Sequence, residues 1–235
     1  MTARSDGAGR ARVVLATHNA HKIAELRAIL EGFVPGLRPD DIAGAGELGA
    51  PEPVEDGLTF AANALLKARA LTAFTGLTAV ADDSGLAVDV LGGAPGIFSA
   101  RWSGRHGDDV ANLELLLDQL ADVAPRDRGA RFVCAAALVT PDGYERVEHG
   151  YLRGTLATEP RGSNGFGYDP ILIVVGDTRT SAELTPAEKN AISHRGEAFR
   201  SLAPFIRAAL DGQLPAASPP AAGPALAPDP SRESR

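Results

Sequence analysis

One cysteine, Cys134, is all the thiol chemistry in this chain of 235 residues. It cannot close an internal disulfide, and it lacks partners at metal-ligand spacing. Inside the apolar run RFVCAAALV it reads as a small buried hydrophobe, so nothing calls for an oxidising compartment. Long hydrophobic runs are missing too. None is long enough to span a bilayer, and the VVLA that follows the first arginines is too short for the core of a signal peptide. The expected setting is cytoplasmic, with no membrane partner. Positive charge is the third shortage: 23 Lys and Arg face 30 Asp and Glu, for a formal net charge of -7. That balance argues against a general nucleic-acid binder, which carries a basic face, but leaves room for a small anionic ligand held by a few local cations. No GxxxxGK[ST] P-loop is present, and the polar stretch Thr17–Lys22 that follows the first strand is not a Rossmann fingerprint.

What remains is ordinary globular material, 44% hydrophobic and 23% charged. Residues 1–10 are polar and read as a flexible N-terminus. Residues 213–235, QLPAASPPAAGPALAPDPSRESR, are rich in Ala and Pro without helical or strand period, and read as a disordered tail. No second linker divides 11–212, which is taken as one domain. Within it, strand and helix patterns alternate. RVVLAT (12–17), TAVA (78–81), LAVDV (86–90), ARFVCAAALVT (130–140), YERVEHGYLRGTL (144–156) and PILIVV (170–175) read as strands. NAHKIAELRAILEGF places Ile23, Leu26, Ile29 and Leu30 on one helical face; LTFAANALLKARALTAF, VANLELLLDQL and the stretch from TPAEKNAI onward are further helices. Pro141-Asp142-Gly143 is a turn sequence that makes its flanking strands antiparallel. The fold class is therefore α/β, a mixed sheet flanked by helices.

Four polar constellations interrupt this pattern. Thr17-His18-Asn19-Ala20-His21-Lys22 stands at a strand-to-helix junction, where unpaired N–H groups attract anions. Cations in a first helical turn are disfavoured, and a bound phosphate would remove that conflict; alternatively Thr17 or Asn19 is an N-cap and Lys22 a solvated charge. Glu55-Asp56-Gly57 precedes a helix, with Asp56 as its expected N-cap, and Asn63 and Lys67 lie one turn apart on that helix, readable as a plain polar face. Ala81-Asp82-Asp83-Ser84-Gly85 separates two apolar runs. It is either a capped turn or a strand-end carboxylate site for a hard cation such as Mg²⁺, held by one or two acids and substrate oxygens. RGSNGFGYDP (161–170) offers close-approach glycines, the aromatic faces of Phe166 and Tyr168, and the acceptor Asp169; alternatively it is a glycine-rich turn whose aromatics plug the core. Thr185-Pro186-Ala187-Glu188 is a capping box, Gly196 suits a position past a helix end, and Lys189, His194 and Arg195 are donors on or beyond that helix.

Taken in order, ATHNAHKIAEL, EDGLTFAANALLKA, ADDSGLAVDVLGGAPGIFSARWSG, GFGYDPI and AELTPAEKNAISHRG resemble the Ham1-like inosine/xanthosine triphosphate pyrophosphatases, over residues 12–210. The resemblance implies an elongated α/β fold with an active-site cleft between two lobes. It implies a homodimeric, Mg²⁺-dependent enzyme that splits ITP, dITP and XTP into the monophosphate and pyrophosphate. By position it makes Thr17, His18, Asn19, Ala20, His21 and Lys22 the triphosphate segment, Asp83 the proton acceptor and a metal ligand, Glu55 a second acid at the metal, and Ser84 a substrate contact. Phe166, Gly167, Tyr168 and Asp169 match the base loop, and Lys189, His194 and Arg195 the base-reading donors. His18 and His21 depart from residues common at those positions. Of three rival readings, a related pyrophosphatase acting on another base, such as a modified pyrimidine, is the runner-up, separated only by the base pocket; a non-hydrolysing nucleotide sensor would lose an acid that is present here, and an RNA binder stacking on Phe166 and Tyr168 would need a basic stripe.

Overall fold

The computed structural model describes residues 11–17 and 20–214, the side chains of residues 20–22, 24 and 25 excepted. Residues 1–10 and 215–235, and with them nearly all of the expected tail, lie outside the described residues. One sheet organises the chain. β1 (Val13–Leu15) lies between β2 (Ile42–Gly44) and β3 (Thr78–Val88), parallel to both. β4 (Gly129–Val139), β5 (Glu145–Leu156) and β6 (Leu172–Val174) follow antiparallel, giving the order β2-β1-β3-β4-β5-β6. The α/β mixed sheet expected from the alternation is what forms, with the hairpin at 141–143 where Gly143 takes φ 89°.

The acidic motif is not an interruption, contrary to the strand–turn–strand expectation. β3 runs unbroken through Asp82, Asp83 and Ser84, paired with β4 from Ala79↔Val139 to Val88↔Ala130. The partners of the two acids are Ala136 and Ala135, whose methyl groups leave room for a carboxylate on either face. β1 reaches only as far as Val80 along β3. Beyond it, among the described residues, no strand pairs with the β1-side edge of β3, and at Leu86 the N–H is accepted by Ser99 Oγ at 2.9 Å. Side chains alternate between faces along a strand, so the two halves of the sheet surface differ. Val80, Cys134, Ala136 and Leu138 meet Phe199, Leu202 and Ile206 of α5 (His194–Leu210) and Leu26 and Leu30 of α1 (Ala20–Phe33). On the other face Ala79, Ala81, Ala135 and Ala137 meet Ala64, Ala68 and Leu71 of α2 (Phe60–Thr75). Alanine against alanine brings α2 close to the sheet. A third cluster joins Leu86 and Val88 to Leu113 and Leu116 of α3 (Asp109–Gln119) and to Tyr168 and Ile171.

Further expectations are corrected. The N-cap of α2 is Thr59, whose side chain accepts from the Ala62 N–H, and not Asp56, which lies in the loop before it. The capping box Thr185/Glu188 does open α4 (Pro186–Ile192), but Gly196 does not end it. Ser193 starts a second helix at once, and Gly196, inside the first turn of α5, donates its N–H to Ser193 Oγ at 2.9 Å. PILIVV becomes a short 3-10 turn and then β6, three residues long. β2 was not foreseen: three residues after a Pro-Asp-Asp turn carry no usable period.

Candidate active site

Asp82 and Asp83 are neighbours in sequence and lie on opposite faces of β3. Asp83 points to α2. There the Asn63 Nδ2–H donates to its Oδ2 at 3.1 Å, and the Lys67 ammonium stands 3.5 Å from its Oδ1. The same ammonium is 3.1 Å from Glu55 Oε1. Asn63 Oδ1 accepts the Gly57 N–H at 2.8 Å, which ties the loop bearing Glu55 to the helix. Gly57 cannot be larger, since a Cβ there would fall 2.5 Å from that amide oxygen. Burial, together with Glu55 and Asp82, raises the Asp83 pKa above the usual carboxylate range, against the pull of Lys67 and Asn63. Lys67 is also raised: burial lowers it, but Asp83, Asp82 and Glu55 outweigh that. Asn63 and Lys67 were readable only as a polar face; the i, i+4 spacing above a GxTF turn was the available signal, and the alanine-lined approach of α2 gives it meaning.

Two carboxylates and one ammonium leave this cluster with excess negative charge on oxygen ligands, in a partly buried place. That donor set fits Mg²⁺, which takes one or two carboxylates and completes its shell with water and phosphate oxygens. No group of three or more His, Cys, Asp or Glu is assembled for a metal among the described residues, so a site here would rely on substrate oxygens.

On the other face, Ser84 lines a cavity of about 340 Å³ that runs under the glycine-rich loop to α4 and α5, within the size range of small-molecule sites. Phe166 stands at its mouth, 63% exposed, with the Lys189 ammonium 5.5 Å from its ring centroid. Asp169 is buried and multiply held: its carboxylate accepts from the Phe166 N–H and Ser181 Oγ, both at 2.8 Å, and pairs with Lys189. Gly165, at φ 77°, allows this, because a Cβ would lie 2.0 Å from Asp169 Oδ2. The Gly167 N–H is taken by Asp109 of α3 at 2.9 Å. His194 stacks on Phe132 at 5.2 Å. Tyr168 is corrected from a free aromatic face to a wall: it is buried in the core, and its hydroxyl donates to the Ser99 carbonyl at 2.9 Å.

Arg195 and Asp82 form a buried ion pair behind the cavity, Nε to Oδ2 at 3.1 Å, with side chains 6% and 4% exposed. Ser84 Oγ donates to the same oxygen at 3.2 Å. Of the expected triphosphate segment, Thr17 follows β1 beside β3. His18 and Asn19 lie outside the described residues, and of Ala20, His21 and Lys22 only the backbone, the start of α1, is described. The remaining expected residues divide between the two faces: Glu55 and Asp83 on one; Ser84, Phe166, Gly167, Tyr168, Asp169, Lys189, His194 and Arg195 around the cavity.

A family model described as the Ham1 family matches residues 13–205. The chain belongs to the Ham1 family. It is 64% identical over 199 residues to a dITP/XTP pyrophosphatase of Streptomyces avermitilis, covering 85% of this chain and 98% of that one. It is 52% identical to a dITP/XTP pyrophosphatase of Mycobacterium bovis, covering 86% and 98%. Among solved structures, it matches the nucleoside-triphosphatase / dITP/XTP pyrophosphatase of Mycobacterium abscessus at 52% identity and TM-score 0.70, covering 82% and 98%. The Ham1 protein of Staphylococcus aureus matches at 38% identity and TM-score 0.74, covering 86% and 99%. In this Ham1 chain the six-stranded mixed sheet is thus a family property, while the division of the acid pair between faces is read from its own side chains.

Proposed function

We propose that this chain hydrolyses non-standard purine nucleoside triphosphates, ITP, dITP and XTP, to the nucleoside monophosphate and pyrophosphate, and so cleanses the nucleotide pool. One observation carries the proposal. A single strand presents a carboxylate–ammonium cluster on one side and, at the next residue, a purine-sized cavity on the other. The nucleotide crosses the edge of β3 between Val80 and Leu86, where β1 no longer pairs with it. Its base enters the cavity against Phe166, and its phosphates reach the Thr17–Lys22 junction and the start of α1, where helix N–H groups favour anions. Lys189, His194 and Arg195 are the donors set against the purine 6-oxygen.

Asp83 and Glu55 would hold Mg²⁺, which neutralises phosphate charge and polarises the phosphorus under attack. Asp83 orients the attacking water and accepts its proton. The Lys67 ammonium bridges both acids and holds them in register. Asn63 holds Asp83 Oδ2, and Lys67 faces Oδ1, which fixes the plane of the carboxylate. Catalysis is then mainly positioning and electrostatics. The proposal extends to a homodimer working in the cytoplasm without nucleic-acid or membrane partners. Among the described residues no helix is long and apolar enough to cross a membrane.

The test is a panel of ITP, XTP, dITP, GTP, ATP and pyrimidine triphosphates with Mg²⁺. A pocket of donors satisfies a 6-oxygen and leaves groups unmatched against a 6-amino group, a mismatch that discriminates by up to about 10⁴–10⁵. ITP and XTP should lead ATP by orders of magnitude in kcat/KM. Equal rates on all purines, or a pyrimidine preference, would refute the assignment of the base.

A further inference from the structure

The pairing of Asp82 with Arg195 is costly to build. Burying two charges is unfavourable unless geometry and further hydrogen bonds compensate. Arg195 also sits in the first turn of α5, where the helix dipole disfavours a cation. Its backbone is pressed against the sheet: the α5 start crosses β5 at Gly150, where a Cβ would lie 2.0 Å from the His194 carbonyl oxygen. Two unfavourable conditions, a buried charge and a cation in a first helical turn, meet at one residue that borders the cavity, and one carboxylate offsets both. Asp82 Oδ2 receives both the Arg195 Nε–H and the Ser84 hydroxyl. With its proton committed to Asp82, the Ser84 oxygen turns its lone pairs elsewhere, and it lines the cavity as an acceptor.

We propose that Asp82 is a positioning residue for purine recognition and not part of the metal site: it sets the Arg195 guanidinium and the polarity of the Ser84 hydroxyl. The two acids thus divide the work, Asp83 serving the phosphates on the α2 face and Asp82 the base on the α5 face. This rests on the reading of Arg195 as a base donor.

The test is a double-mutant cycle on the full chain: wild type, D82N, R195M and D82N/R195M, each assayed for kcat and KM on ITP and ATP, for Mg²⁺ concentration dependence and for Tm. R195M should compress the ITP/ATP ratio of kcat/KM by tenfold or more, a modest part of what a lost polar match can discriminate (about 10⁴). D82N should compress it by about tenfold, chiefly through KM for ITP, with the half-saturating Mg²⁺ concentration within about twofold of wild type. In the R195M background D82N should change the ratio by less than about twofold, since residues acting through one another are not additive. If D82N fails to fold because it strands a buried cation, D82E keeps the charge and displaces the carboxylate: the ITP/ATP ratio should fall with the Mg²⁺ dependence unchanged, and an unmoved ratio overturns the role of Asp82. A ratio unmoved by R195M sinks the base-donor reading and this proposal with it. A ratio moved by R195M but not by D82N, or moved equally by D82N in both backgrounds, overturns the role of Asp82 alone. A large shift in Mg²⁺ dependence with the ratio intact also overturns it, by making Asp82 a metal group.

Discussion

Gly150→Ala should damage substrate choice through the seat of α5 on β5. Gly150 has extended backbone, so an alanine meets no torsional penalty there; the obstacle is contact. An added Cβ would sit 2.0 Å from the His194 carbonyl oxygen and 2.5 Å from the Ala198 N. To restore ordinary contact near 3.4 Å the first turn of α5 must retreat by roughly 1.4 Å. Overpacking of this kind costs about 1–3 kcal/mol, which is about 2–12 °C in Tm for a domain of this size. The same retreat pulls Arg195 away from Asp82, whose separation is 3.1 Å at the outset, beyond hydrogen-bond reach. The assay pairs thermal unfolding with kcat/KM for ITP and ATP. Tm should fall, and the ITP/ATP ratio should fall with it, while the half-saturating Mg²⁺ concentration stays close to wild type because α2 and Asp83 are on the far face. An unchanged Tm and an unchanged ratio would show that α5 does not hold the base-reading groups by this contact.

Asp83→Asn removes the proton acceptor and a metal ligand while keeping shape; kcat should fall by at least about 10², and near wild-type turnover at saturating Mg²⁺ would refute the role. In wild type, Mg²⁺ at about 100 times its Kd should stabilise by roughly 2.7 kcal/mol, seen as a higher Tm, and D83N should lose most of that rise; an equal rise in both would place the metal elsewhere. Because burial, with Glu55 and Asp82, raises Asp83, activity should fall with decreasing pH sooner than an ordinary carboxylate would allow. Raising Mg²⁺ should move that acid limb to lower pH, and a limb independent of Mg²⁺ would separate the titrating group from the metal. Phe166→Ala should raise KM for ITP by roughly 5–150-fold if a base stacks there, from about 1–3 kcal/mol per stacked base; unaltered KM would make the exposed ring incidental. Removing residues 215–235 should leave kcat and Tm unchanged, on the composition of that segment, and a loss of either would show that it contributes to the fold.

Most of the sheet was legible because strand and helical patterns alternate and the motifs fell in order along the chain; the short β2 and the unbroken course of β3 were not. What the sequence hid follows from how a strand works. Asp82 and Asp83 looked like one acidic site because they are adjacent, yet adjacency on a strand places them on opposite faces; only the pairing of β3 with Ala135 and Ala136 shows that the strand continues through them. Lys67 and Asn63 looked like solvated polar residues because the closeness of α2 depends on alanines from three other segments. Gly196 looked like a helix end because a single Ser193 can close one helix and cap the next. Tyr168 looked like a stacking platform, and its burial follows from the distant Ser99 carbonyl that its hydroxyl reaches.

The central claim is that water, activated at Asp83, attacks the α-phosphorus of a purine triphosphate whose base lies in the cavity beyond Ser84. Hydrolysis of ITP in ¹⁸O-labelled water tests it directly, with the products separated and weighed by mass spectrometry. The account predicts one ¹⁸O in IMP and none in the pyrophosphate. Label in the pyrophosphate would mean attack at the β-phosphorus, and IDP with labelled orthophosphate would mean attack at the γ-phosphorus; either result contradicts it.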